Sequence, residues 1–501
     1  MTKARKVLLV LGLILGASLL ALAVLVAVVS IDEAPPFDDD LRVVRLEIPD
    51  DQNAFTYFQQ AVDKLDLPKD DEPVMDSPAP PPKVKPMPGE EPDPNAPPPT
   101  RTQRWNALTA GYVEWDQPIV DEFLKRNAEA LALWERGLAA PHYQTPLEGR
   151  YSYLMEIPWC YSHLSLANVV SVRGHDRARR GDHEGAFDDA LRLARFGQQI
   201  ETGKGCLVEY MVGLTFKEMG ESLMREQVKT CTLPSSRLRH YAAELARYPC
   251  GAQGLADAYR TEYACQANTI DDFYSGRMTL EDIVWVFRAY PESLRHRVER
   301  LVDRVLWRVA VAVSFKPNRT RRAFAETMRK AIDDAPKHYE AARQLDASVP
   351  EFKILRSVLS GNLTGEVLYR ILIPGLRGPN KMKCRTNVEL AATRTLLAMK
   401  AYKLDKGRLP ETLEQLVPEY LDAVPIDDFD GKPLRYNAAK KIIYSVGEDL
   451  EDNGGTTEQE FIEAKARELG LDIKDADPNQ LRDFEAGYPW EASDPAFAIE
   501  F

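Results

Sequence analysis

The chain has 501 residues, 44% hydrophobic and 28% charged, with a net charge of −13. That is the composition of a folded protein long enough for two or three domains with sizeable cores. No basic stripe runs along it, which argues against nucleic-acid binding. The negative charge gathers at the end, where residues 445–501 hold sixteen acids and four bases, a balance suited to cations or basic partners.

Val7 to Val29 is an uncharged, almost wholly apolar run of 23 residues. At about 1.5 Å per residue it is long enough to span a bilayer core of about 30 Å. Lys3, Arg5 and Lys6 precede it; Asp32, Glu33 and Asp38 to Asp40 follow it. The positive-inside rule makes residues 1–30 a cytoplasmic tip and transmembrane anchor, with the bulk of the chain extracytoplasmic. A cleaved signal peptide is the rival reading, with an apolar region of about 7–15 residues and a small-residue cleavage site. This run is longer and lacks a clear A-x-A site, so a single-pass anchor in the cell membrane is expected.

Residues 31–67 read as a short strand, Leu41 to Pro49, and a helix capped by Asn53 with Phe55, Phe58 and Val62 on one side. Residues 68–100 carry thirteen prolines in 33 positions, the pattern of an extended insert or linker. From 101 to 382 the periodicity is helical, with Ile119, Phe123, Leu131 and Trp134 at helical spacing. Prolines such as Pro158, Pro234 and Pro317 separate helices of ordinary length. Arg177 to Arg195 resembles the second half of a tetratricopeptide repeat, with small residues Gly181, Ala186 and Ala190 where two helices would approach. No further copy follows at that repeat's period, so it reads as one hairpin in a larger bundle. The six cysteines form no C-x-x-C; Cys250 with Cys265 could make a local bridge, or all could be buried thiols.

From 383 to 501 the pattern changes. A strong helix sets Val388, Ala391, Ala392, Thr395, Leu396, Met399 and Tyr402 along one broad face, with Gly407 as its stop. Thr412 is placed to cap a short helix, with Gln415 in the capping-box position. Two strands follow, "DFDGKPLRY" and "KKIIYSVG", joined by a turn around Asn437 to Lys440. The expected fold class is mainly α: an N-terminal transmembrane helix, a multi-helix central domain, and a small α+β C-terminal domain with an antiparallel sheet and an acidic extension.

Asp427, Phe429, Gly431, Pro433, Tyr436, Tyr444, Ser445 and Gly447 follow a long helix and an L-P-E-x-L segment. That order resembles the soluble domain of the type II secretion major pseudopilins. It resembles more closely the C-terminal domain of uncharacterised, membrane-anchored bacterial envelope proteins that reuse the module. The resemblance spans about Arg385 to Gly455 and implies a calcium loop after the Y-S-V-G strand, here Asp449 to Gly455. Two departures argue against assembly into a pseudopilus: some 350 residues separate this helix from the apolar run, and no prepilin cleavage pattern is present.

Read by its own chemistry, the loop sets Asp449, Glu451 and Asn453 at positions one, three and five of a twelve-residue window, with Gly454 at six and Glu460 at twelve. This nears the EF-hand rule, although Glu451 stands where Asp or Asn is usual and the entering segment reads as a strand. A tight loop, a longer loop reaching Glu460, and a solvated acidic turn all stand as readings. The expected metal is a structural calcium ion on Asp449, Glu451, Asn453 and Glu460.

No H-E-x-x-H, G-x-S-x-G, S-x-x-K, Walker loop or G-x-G-x-x-G occurs, and no catalytic or cofactor-binding residues are assigned. The pairs around His175 and His183 could meet in one hairpin, with solvated surface as the plainer reading. Tyr153, Trp159 and Tyr161 could line a pocket or simply pack. A non-enzymatic envelope scaffold with a protein partner is therefore expected, against a hydrolase or small-ligand receptor whose site lies in the helical domain.

Overall fold

The computed structural model of the chain describes residues 31–67, 115–146, 151–153, 155, 157–278, 314–342, 360–373, 378–468 and 489–501, with Gly16, Ala17, Leu20 and Val24 from the apolar run. The rest of that run and the whole of the insert, residues 68–100, lie outside the described residues. Among the described residues no helix is long and apolar enough to cross a membrane.

Helix α1 (Ala54–Asp63) starts where expected, with the Asn53 side chain accepting from Phe55 N. The same side chain bonds both backbone groups of Gln144, tying the helix start to a distant loop. Leu41 to Pro49 forms no strand. Leu41 ends a short 3-10 turn, and the backbone beyond it is met by side chains: Lys204 donates to Val44 O, and Gln144 bonds both backbone groups of Leu46. The continuous pattern read over 119–138 divides into α2 (Gln117–Arg126) and α3 (Ala128–Ala139). Buried Asn127 marks the break, its side chain bonding Phe123 O and the Asp66 backbone.

Helices α4 (Trp159–Arg179) and α5 (His183–Glu201) follow one another across the segment 177–195. Gly181 turns between them at φ +82°, and Asp182 caps α5 by accepting from Gly185 N. The closest helix approach is to α6 (Leu207–Thr230). A Cβ on Gly197 would overlap the Gly213 carbonyl oxygen, and one on Gly220 would overlap that of Ala190. Small residues here let two long helices lie nearly backbone to backbone.

The body continues through α7 (Ser235–Leu245), α8 (Ala252–Tyr274), α9 (Pro317–Asp334), the short α10 (Tyr339–Ala342) and α11 (Leu363–Leu372). Helix α12 (Gly378–Lys406) then precedes a three-stranded antiparallel sheet ordered β1 (Arg435–Asn437), β2 (Ile442–Tyr444), β3 (Ala496–Ala498). Between β2 and β3 the chain forms α13 (Glu458–Glu468). Thr412 makes no side-chain cap; a 3-10 turn follows it, and the Gln415 side-chain Oε1 accepts from Glu411 N instead. All six cysteines are buried and free, so Cys250 and Cys265 form no bridge.

Among the described residues three large apolar cores fill this architecture, with a small fourth cluster of Ile442, Tyr444 and Ala496 on the sheet. One is aromatic, with Phe58, Phe123, Trp134, Phe196 and Phe216. A second joins α6, α8, α9 and α11. The third runs without interruption from α5, α6 and α7 through α12 into the sheet, from Phe187 and Tyr241 to Ile443 and Phe497. Helix α12 is buried on nearly every side, so its polar residues must find partners: Lys400 donates to the carbonyls of Val228 and Cys231, at the α6 C-terminus.

Candidate functional site

The sequence pattern that closes the sheet has a physical centre in Asp427, which is fully buried. Its carboxylate accepts from Phe429 N at 3.0 Å, Val446 N at 3.0 Å, Ser445 Oγ at 2.9 Å and Arg435 Nη1 at 2.8 Å. One carboxylate thus ties the turn to the end of β2. Arg435 also reaches Asp430 and Asp452. The acids of "DDFDG" therefore shape a turn.

Beyond β2 the chain turns sharply, with positive φ at Gly447, Leu450, Gly454 and Gly455. Asp449 Oδ1 accepts from Glu451 N, and Asn453 Nδ2 donates to Glu451 O. Asp452, which sequence reasoning passed over, accepts from Tyr444 OH and Gly454 N. Glu460 is otherwise engaged: it accepts from Thr457 N and pairs with Lys440 at 2.9 Å, contacts that hold its pKa below the usual Glu value. Among the described residues no group of three or more His, Cys, Asp or Glu side chains is arranged to hold a metal ion.

A residue far along the chain completes the loop. Asp494 is fully buried, and its Oδ2 accepts from Asn453 N at 2.7 Å and Gly455 N at 2.9 Å. Its other oxygen, Oδ1, is buried without a hydrogen-bond partner. Burial raises its pKa, the two N–H groups oppose the rise, and the charges of Asp452 and Asp449 add to it. A buried carboxylate oxygen with no partner calls for an unseen proton, water or cation. The sequence signal was an Asp just before β3, visible only once that strand is known to pair with β2.

A second concentration of acids lies between α6 and α12. Glu221 is fully buried and neither carboxylate oxygen has a hydrogen-bond partner; burial drives its pKa well up, and the charge of Glu389 adds to this. Glu218, half-buried, accepts from Thr386 Oγ1, and burial together with Glu389 pushes it up to about 7. Glu389 itself pairs with Arg225 at 2.9 Å and accepts from Trp490 Nε1 at 2.6 Å. Beside this seam Lys217 and Glu201 form a fully buried ion pair, and Gly251 N donates to Glu201 at 2.8 Å. A carboxyl near neutrality beside an ionised one can hold or pass a proton. Acids at 218 and 221, one turn apart between the apolar positions Leu214 and Leu223, were the available signal.

The histidine pairs stay apart in role. His175 lies 3.7 Å from Glu226, Asp176 binds Arg180 and Gln117, and Glu184 pairs with Arg237. Of the three aromatics, Tyr153 donates to Glu262 and Trp159 to Glu209, while Tyr161 is exposed. No protein family, no curated protein and no solved structure matches the chain.

Proposed function

We propose that this chain is a membrane-anchored extracytoplasmic protein of the bacterial envelope, a non-enzymatic scaffold whose C-terminal unit is pseudopilin-like and clasped by structural calcium. The observation that carries the reading is the buried, unpartnered Oδ1 of Asp494 within an acidic loop. It favours the shorter loop, Asp449 to Gly455, with the Asp494 carboxylate facing the ion and main-chain oxygens of the loop completing the set, while Glu460 would remain with Lys440. Calcium favours carboxylate and main-chain oxygens, and here it would neutralise clustered charge and fasten β3 to the loop. Leu20 and Val24 are helical and exposed, as a lipid-facing run requires. The continuous apolar cores support a scaffold. Calorimetry with calcium, together with melting in chelator, tests the clasp. Binding that stabilises the protein and is lost in Asp494→Asn is expected; no binding and unchanged melting would remove calcium from the account.

The second reading, a hydrolase or small-ligand receptor, is favoured by Glu218 alone, a half-buried carboxyl poised near neutrality. Modification by a water-soluble carbodiimide at pH 7 tests it. Labelling of Glu218 would open the seam to ligands, and protection would leave it as packing.

A further inference from the structure

Immediately after the apolar run the chain is fastened to the helical body. Only Ser30 and Ile31 separate Val29 from Asp32. Asp32 Oδ2 accepts from Asn318 N at 2.7 Å and Oδ1 from Arg319 N at 3.3 Å, so a carboxylate from the membrane side caps the first turn of α9. The fastening continues along that helix. Asn318 Nδ2 donates to Glu33 O, Arg322 pairs with Glu33 and donates to Ala34 O, and Arg329 holds Phe37 O and Asp40. Tyr263 donates to Asp38, and Leu41 is buried in the core of α8 and α9.

Three chain steps of at most about 3.6 Å, the Asp32 side chain and its hydrogen bond to Asn318 N put the α9 N-terminus within roughly 17 Å of the end of the apolar run. The headgroup layer is itself about 5–8 Å deep on each side. Two other helix ends share this place. Tyr274, the last residue of α8, has its ring 6.2 Å from that of Phe315, and Ser314 bonds Thr364 at the start of α11. Ile31 is 66% exposed and Tyr274 57%, an apolar side chain and an aromatic with a polar tip at the depth where such residues are favoured.

We propose that the end of the body formed by the α8 C-terminus and the N-termini of α9 and α11 is docked on the lipid headgroups, with Tyr274 and Ile31 immersed in the interface. This rests on the apolar run being a retained anchor. The partner is the bilayer surface itself. Among the described residues the arginines at this end pair with acids: Arg277 with Asp272, Arg321 with Asp271, and Arg319 and Arg322 with Glu33. Docking therefore comes from the short connection and the interfacial side chains.

Full-length protein in vesicles of neutral lipid, with a fluorophore on Tyr274→Cys or on Lys406→Cys at the far end of α12, tests this. The native thiols are buried and leave the introduced one selectively reactive. Flotation with the vesicles, loss of emission at 274 with headgroup-brominated lipid, and loss at 406 only with soluble iodide are expected. Flotation with both labels open to iodide and untouched by brominated lipid would overturn the docking and spare the anchor. Failure to float would overturn both. Asp32→Ala, in protein that floats, should expose the 274 label to iodide; an unchanged label would refute the fastening as the cause.

Discussion

Replacing Asp427 with Ala removes one carboxylate that accepts four hydrogen bonds in a site closed to solvent. The amides of Phe429 and Val446 would be left buried without acceptors, at about 1–3 kcal/mol each. Arg435 would keep Asp430 and Asp452, and Ser445 Oγ would still accept from Gly447 N, so neither adds a full loss. The expected cost is about 3–5 kcal/mol, borne by the sheet. Asp427→Asn keeps one acceptor oxygen and should lose roughly half as much. Hydrogen exchange reads this locally: the amides of Ile443, Val446 and Phe497 should lose protection by several orders of magnitude in the Ala variant, while those of α5 keep theirs. A change below about 1 kcal/mol at these amides would refute the view that this carboxylate ties the turn to the sheet.

The α6–α12 seam gives a pH prediction. A carboxyl whose folded pKa is raised holds its proton more tightly in the folded state. Its contribution is present below the ordinary Glu value of 4.5 and is lost as pH climbs through about 7. Glu218→Gln should flatten this slope and stabilise the protein at pH 8 by up to about 3 kcal/mol, read from urea midpoints across pH 4.5–8.5. Lys217→Met leaves Glu201 buried without its cation and should cost about 3–5 kcal/mol, with recovery in the Lys217→Met, Glu201→Leu double variant. Gly197→Ala forces α5 from α6 and should lower stability by about 1–3 kcal/mol, measured as a fall in melting temperature.

The helices were legible where apolar spacing and local caps agree. Asn53 and Asp182 cap where short-range chemistry says they should, and Gly181 turns the chain between α4 and α5. Asn127 interrupts a regular apolar pattern because its side chain has long-range backbone partners, which periodicity cannot register. Leu41 to Pro49 alternates like a strand but finds side-chain partners, and β strands need a neighbouring edge. The second strand was legible; of the first, read over 428–436, only Arg435–Asn437 is a strand and the rest is mostly turn and bend, and the third was missed, since Ala496 to Ala498 is short and becomes a strand only by pairing with β2. The same non-local pairing hid Asp494. The acids of α6 were hidden differently: charge on a helix usually marks its solvated face, and here Glu221 points into packed protein.

The most direct test of the central claim is extraction of membranes from cells making the full-length chain, with protease added from outside. The chain should stay in the membrane pellet through high salt and alkaline carbonate. The external protease should reach the helical body. Release by high salt, or protection of the body from protease in intact spheroplasts, would contradict that claim.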